Sequence, residues 1–198
     1  SLFGVSLPGF WFGILLLMLF AVHLRILPVS GRIGYAYEVD AVTHLLLIDS
    51  LIAGRLDTFA NALSHLFLPA LTLGLPMAAI LMRVTRTSML EVMSQDYIIF
   101  AEAKGISRTR ILIRHALKNA LIPTVTVAAL ETGSLLGGNM IVETVFGWPG
   151  LGRLVVESIF VHNYPLVQAA VLFYAVTYVF LNFFADILYT VLNPRVKL

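Results

Sequence analysis

Hydrophobic residues run along this chain in long, uninterrupted blocks that do not alternate with polar ones. Four blocks are long enough to span a bilayer core, which takes about 20 apolar residues of helix: residues 7–27, 63–82, 120–142 and 166–192. Continuous runs predict helices and argue against a membrane β-barrel, whose strands alternate. Lipid also offers no partner for an open sheet edge. The predicted fold is therefore all-α, a polytopic transmembrane helix bundle. Pro69 and Pro76 interrupt the second block and predict kinks there. Gly133, Gly137 and Gly138 in the third predict close approach of another helix. The polar-mixed stretch 31–61 predicts short helices lying on the membrane surface.

Composition agrees: 59% of the 198 residues are hydrophobic, 12% are charged and mean hydropathy is +0.92. Soluble domains carry about 25% charged residues. The chain lacks cysteine, so disulfides, thiolate metal sites and cysteine nucleophiles are excluded. It starts at Ser1, and its first apolar run is too long for a signal-peptide core. That start reads as an internal point of a longer protein or as a processed chain.

Charge sets the orientation. Arg83, Arg86, Lys104, Arg108, Arg110, Arg114, Lys118, Arg195 and Lys197 fall on one side of the predicted membrane; Arg25, Arg32, Arg55 and Arg153 fall on the other. The 83–118 segment and the C-terminus are expected in the cytoplasm. Residues 28–62 and 143–165 are expected outside. Trp11 and Trp148 sit at span ends, as interfacial anchors do.

The segment from Met89 to Pro123 is half apolar and helically periodic. Residues 96–104 predict one short helix, Gly105 a break, and Ser107 the N-cap of a second helix through Lys118. Ile106, Ile113 and Leu117 form the predicted apolar stripe of that second helix. Physics alone leaves two readings open: a docking element for another protein and a basic amphipathic helix lying on anionic lipid.

Motifs narrow this. Ala101, Ala103, Lys104 and Gly105, followed by His115, Leu117 and Asn119, resemble the cytoplasmic loop of ABC importer permeases of the peptide/nickel class. Gly137, Gly138, Glu143, Val145, Phe146, Pro149, Gly150, Leu151 and Gly152 are similar to a second signature of that class. The stretches 163–168 and 192–196 also fit. Two positions depart from the wider importer motif: Ile99 stands where its Glu would be, and Leu117-Lys118 replaces its Leu-Pro ending. The peptide/nickel branch shows similar departures.

The resemblance implies a type I-like permease domain covering residues 1–198, the C-terminal part of a longer permease with two further spans and a large external segment before it. It implies residence in the bacterial inner membrane, a second permease subunit, two cytoplasmic ATPases and an external solute-binding protein, with no nucleic-acid partner. The implied cargo is a di- or oligopeptide, with nickel, glutathione or an opine as alternatives. No Gly-x-x-x-x-Gly-Lys-Ser/Thr motif occurs in the chain. It is therefore not expected to be an enzyme or to bind a cofactor; ATP and magnesium would sit in the partner ATPases. The implied docking residues are Ala101, Glu102, Ala103, Lys104, Gly105, Arg108 and Arg114. Glu143, Pro149, Gly150 and Gly152 would form an outer gate or turn.

Polar residues inside spans usually face a cavity or a partner. Glu131, with Thr132 and Asn139 behind it, is the candidate lining of the translocation path; pairing of Glu131 with another helix is the alternative. Asp186 suits a structural pairing. His23, His44, His65, His115 and His162 lack ligand spacing, so no metal site is expected. Other classes remain in play: an intramembrane enzyme, for which no catalytic set is evident, and a membrane scaffold with a basic loop.

Overall fold

The computed structural model describes residues 8–37, 39–136 and 139–192, with side chains at 136, 185, 186 and 188–192 excepted. Gly137, Gly138, the 193–196 motif, Arg195, Lys197 and the Asp186 side chain, for which the sequence raises expectations, lie outside the described residues. All regular elements among the described residues are helical. In chain order they are α1 (Gly9–Leu16), which continues as a π-helical stretch (Leu17–His23), α2 (Leu46–Ile52), α3 (Leu56–Met93) and α4 (Asp96–Ala103). Then come α5 (Arg108–Arg110), a π-helical stretch (Ile111–Ala116), α6 (Leu117–Leu136), α7 (Met140–Val145), α8 (Leu151–Phe160) and α9 (Tyr164–Leu192).

Two of these are long and apolar enough to cross a bilayer among the described residues: Leu56–Met93 and Tyr164–Phe184. The apolar helix Gly9–His23 is shorter. On α9, Val171, Leu172, Phe173, Val179, Phe180, Phe183 and Phe184 are all exposed. A helix apolar all round suits lipid or a partner helix, not water.

Three predicted boundaries move. The first helix stops at His23, short of Leu27, because Arg25 takes a positive φ of 53° and ends the ladder. The second runs from Leu56 to Met93, through both prolines and past Arg83 and Arg86. Those two arginines therefore lie on α3 and not in a loop. The third block is not one helix to Val142. Asn139 is extended (φ −111°, ψ 90°) and its side chain accepts the Val142 amide, which starts α7 afresh.

The chain divides into two compact units, Ser1–Pro76 with Gly138–Leu172, and Met77–Gly137 with Phe173–Leu198. In the first, Ala21, Leu68, Val142 and Phe146 form the core, with Phe20, Leu27 and Leu73 packed on it. Gly13 is what lets α1 approach α3. A Cβ there would stand 2.8 Å from Thr72 Cγ2 and 3.2 Å from Phe146 Cε2. Buried Thr72 turns its hydroxyl back onto the Leu68 carbonyl at 2.8 Å, so no polar group is stranded in this contact.

In the second unit the core is Ile98, Ala101, Ile111 and Ala116, resting on Met89, Val92 and Met93 of α3. Thr85 of α3 and Thr124 of α6 share a 2.9 Å hydrogen bond. Gly133 of α6 is buried facing Leu181 of α9, whose Cβ would stand 3.6 Å from a Cβ there, an ordinary contact that does not itself demand glycine.

Candidate functional site

The segment between α3 and α6 is a preformed helix–turn–helix. Asp96–Ala103 is helical, as the pattern predicted. Gly105 follows with φ +75°, in the left-handed region that favours glycine. Among the described residues nothing beyond its chain neighbours lies within 4 Å of where its Cβ would be, so conformation and not space selects glycine. The turn closes through Gly105 N donating to the Glu102 carbonyl and Ile106 N to that of Ala101. Ser107 holds the N-cap position of α5, but its hydroxyl makes no capping bond.

The apolar stripe of the second helix differs from the prediction. Ile111 and Ala116 are fully buried, whereas Ile113 is 64% exposed. Residues 111–116 are π-helical, and i→i+5 bonding brings residues five apart onto one face. A 3.6-residue period therefore picks the wrong side chains. The helix also has no break near residue 118: from Arg108 to Leu136 it is a single helical run. Tyr97 ties the two helices together, since Asn119 Nδ2 donates to its hydroxyl at 2.8 Å.

Of the implied docking residues, Ala101 is buried and serves the internal packing. Glu102, Ala103, Lys104, Gly105, Arg108 and Arg114 are exposed. Exposed with them are Ile99, Phe100 and Ile113. Lys104 Nζ lies 4.4 Å from the Phe100 ring centre, a cation–π contact.

The second motif forms a glycine-tight lock. Asn139 and Glu143 cap α7 reciprocally: Asn139 Oδ1 accepts the Val142 amide at 3.0 Å, and Glu143 Oε1 accepts the Asn139 amide at 3.0 Å. Glu143 Oε2 accepts the amide of Arg153 in the first turn of α8 at 2.9 Å. Gly150, the N-cap of α8, has no side chain to do this, so the carboxylate supplies the missing cap and complements the helix dipole. A Cβ on Gly150 would overlap the Glu143 carboxylate, and one on Gly152 would stand 2.7 Å from Met140 Cα. Trp148 N donates to the Glu143 carbonyl at 2.8 Å. Pro149 is exposed beside it.

The intramembrane candidates separate. Asn139 is a capping residue. The Thr132 hydroxyl donates to the Ala128 carbonyl at 2.7 Å. Glu131 is half-buried, and among the described residues it has no hydrogen bond or ion pair. Asn182 on α9 is a polar group the motifs missed. Its Oδ1 is buried without a partner among the described residues. An amide inside an apolar run was the available signal.

Residues 1–198 match the family model of the binding-protein-dependent transport system inner membrane component. The whole chain is 45% identical to the di/tripeptide transport system permease protein DppB of Pseudomonas aeruginosa, covering 59% of it. It is 44% identical to the dipeptide transport system permease protein DppB of Escherichia coli K12, again covering 59%. Over 98% of the chain it is 39% identical to the glutathione transport system permease protein GsiC of E. coli K12, covering 54% of that protein. The chain thus spans little more than half the length of these relatives. It belongs to the family of binding-protein-dependent transport inner membrane components, helical membrane permeases of ABC importers.

Proposed function

We propose that the chain is part of a permease subunit that carries short peptides inward, driven by ATP hydrolysed in partner subunits. The observation that carries the reading is the Asp96–Ala116 element, rigidly packed on α3 with Phe100 and Ile113 left exposed. A preformed element with uncovered apolar side chains suits a protein groove. In this reading it docks through Glu102, Lys104, Arg108 and Arg114 on a cytoplasmic ATPase. A second permease and an external solute-binding protein complete the assembly, and the C-terminus faces the cytoplasm. Glu131 lines the path. The 143–152 lock holds the outer face rigid while the permeases rock. Relatives named for dipeptides, di/tripeptides and glutathione, itself a tripeptide, favour peptides over nickel or opines.

The test is to express the intact protein with its chromosomal neighbours and purify it through a tag. A P-loop ATPase and a second permease should co-purify, and the assembly should import Ala-Ala. Phe100→Asp should release the ATPase without lowering membrane insertion. Retention of the ATPase by Phe100→Asp would remove the docking role.

A further inference from the structure

The compact unit made of residues 1–76 and 138–172 contains a groove of about 720 Å³. Its lining includes His65 of α3 and Arg153 and Glu157 of α8, besides the hydroxyl side chains of Ser30, Tyr35 and Thr144. The walls are held in place. Gly34 N donates to Asn61 Oδ1 at 2.8 Å, and Gly31 N to the Phe146 carbonyl at 2.9 Å, which pins the 30–35 loop to α3 and to the end of α7. Gly147, at φ +59°, lies beside both that loop and Arg153: a Cβ there would stand 3.2 Å from Ser30 Cβ and 3.6 Å, an ordinary contact, from Arg153 Nη1.

His65 is only 9% exposed. Its Nδ1 lies 2.9 Å from the Asn61 carbonyl oxygen, which can only accept, so Nδ1 carries the proton. In the neutral ring Nε2 is then a lone-pair acceptor, and among the described residues it has no partner. Arg153 Nε donates to Glu157 Oε1 at 2.6 Å. Among the described residues, that single contact leaves the guanidinium's terminal N–H groups and Glu157 Oε2 without a hydrogen-bond partner. The groove therefore offers two acceptors, one of them anionic, and a forked cationic donor. A small zwitterion with an ammonium at one end and a carboxylate at the other matches this set.

We propose that the groove is a subsite for the two charged ends of a short peptide, with Glu157 and His65 Nε2 taking the N-terminal ammonium and Arg153 the C-terminal carboxylate. The inference rests on the peptide-importer reading and adds a specificity determinant to it. On the orientation read from charge, the groove lies on the outer side, so it would receive peptide as the binding protein releases it. A zwitterionic lipid headgroup carries related charges, and the test separates the two.

The intact permease with its partner subunits, in phosphatidylglycerol nanodiscs without solute-binding protein, is titrated calorimetrically with Ala-Ala, N-acetyl-Ala-Ala and Ala-Ala amide. Wild type should bind Ala-Ala about tenfold more tightly than either blocked peptide, the worth of one charge-assisted hydrogen bond. Glu157→Gln should abolish discrimination against the acetylated peptide only, and Arg153→Gln discrimination against the amide only. Both side chains are partly exposed and their replacements are compatible with folding. No binding, equal binding of the three peptides, or discrimination that survives both substitutions overturns the subsite. So does loss of Ala-Ala binding when phosphatidylethanolamine is added to the discs, which assigns the groove to lipid. Uptake of Ala-Ala by the complete wild-type system is measured in parallel. Absence of uptake sinks the peptide-importer reading, whereas uptake without discrimination sinks only the subsite.

Discussion

The Glu143 carboxylate accepts the backbone amide of Arg153 at 2.9 Å, ten residues along the chain and across a turn built from Trp148, Pro149 and Gly150. Its other oxygen holds the Asn139 amide. One side chain thus fastens the starts of two helices. Gly150 and Gly152 are glycine because the carboxylate and the Met140 backbone occupy the space a Cβ would need. Gly152→Ala should cost about 1–3 kcal/mol, the usual penalty for overpacking a site that cannot give. Glu143→Ala should cost a similar amount by leaving two part-buried amides unpaired. Thermal unfolding of the purified permease checks both. The double variant should lose less than the sum, since the two changes act on one lock; strict additivity would contradict it.

Gly13 and Thr72 form a second tight contact, between α1 and α3. The obstruction is Thr72 Cγ2, 2.8 Å from the missing Cβ, with Thr72 Oγ1 at 3.1 Å. Gly13→Ala should destabilise by about 1–2 kcal/mol. Thr72→Ser removes the methyl and keeps the hydroxyl bond to Leu68, so it should rescue Gly13→Ala in part. A double-mutant cycle on unfolding temperature reads the coupling. Equal loss in both backgrounds would show that the contact is not limiting.

These two contacts mark what sequence could and could not reveal. Long apolar runs made the helices legible, and Gly105 declared its turn because only glycine adopts that φ cheaply. The motif around Glu143 was visible as residues but not as a mechanism, because the Glu143–Arg153 bond crosses a turn whose geometry no local pattern encodes. The Ile111–Ala116 face was misphased because period counting assumes a regular α-helix. Hydropathy carries the third span through Asn139 because it is blind to a side chain that caps. His65 read as one scattered histidine until Asn61 and the 30–35 loop came together around it.

Gly105 isolates conformation from contact, since its Cβ position is empty while φ is +75°. Gly105→Ala should strain the turn by about 1 kcal/mol. Gly105→Asn should strain it less, because Asn enters the left-handed region more readily. If the turn positions the docking element, peptide-stimulated ATPase activity of the assembled transporter should fall in the order Gly, Asn, Ala, then Val. An inverted order of Asn and Ala would sever function from backbone conformation.

Asp49 gives a pH dependence with a definite sign. It is buried at the start of α2, and its Oδ1 accepts both the Thr43 hydroxyl and the Thr43 amide at 2.7 Å. Those bonds, the hydroxyl first, hold the carboxyl below its ordinary value of 3.8. A depressed folded-state value means the stabilisation is fully present above 3.8 and is lost as pH falls through the lower folded value. The turn that places His44 at φ 62° should therefore loosen only in strong acid. Asp49→Asn should loosen it at neutral pH and flatten the acid response. Protease sensitivity of residues 39–45 across that range is the readout; a wild-type turn already open at neutral pH would exclude this role.

Glu131 poses the sharpest choice between stability and function. A carboxylate midway along an apolar helix is costly unless something compensates it. Among the described residues no ion pair or hydrogen bond does so, and the side chain is half-buried. Two accounts make opposite predictions. If Glu131 faces the translocation path, water solvates it there and transport uses its charge. Glu131→Gln should then leave unfolding temperature unchanged or raise it while peptide uptake falls severalfold. If it is instead paired with a basic group of a partner subunit, its removal strands that charge, which typically costs about 3–5 kcal/mol. The assembled complex should then be destabilised together with its transport. Measuring unfolding and uptake on the same preparation decides between them, because only a path residue lowers uptake without weakening the protein that carries it.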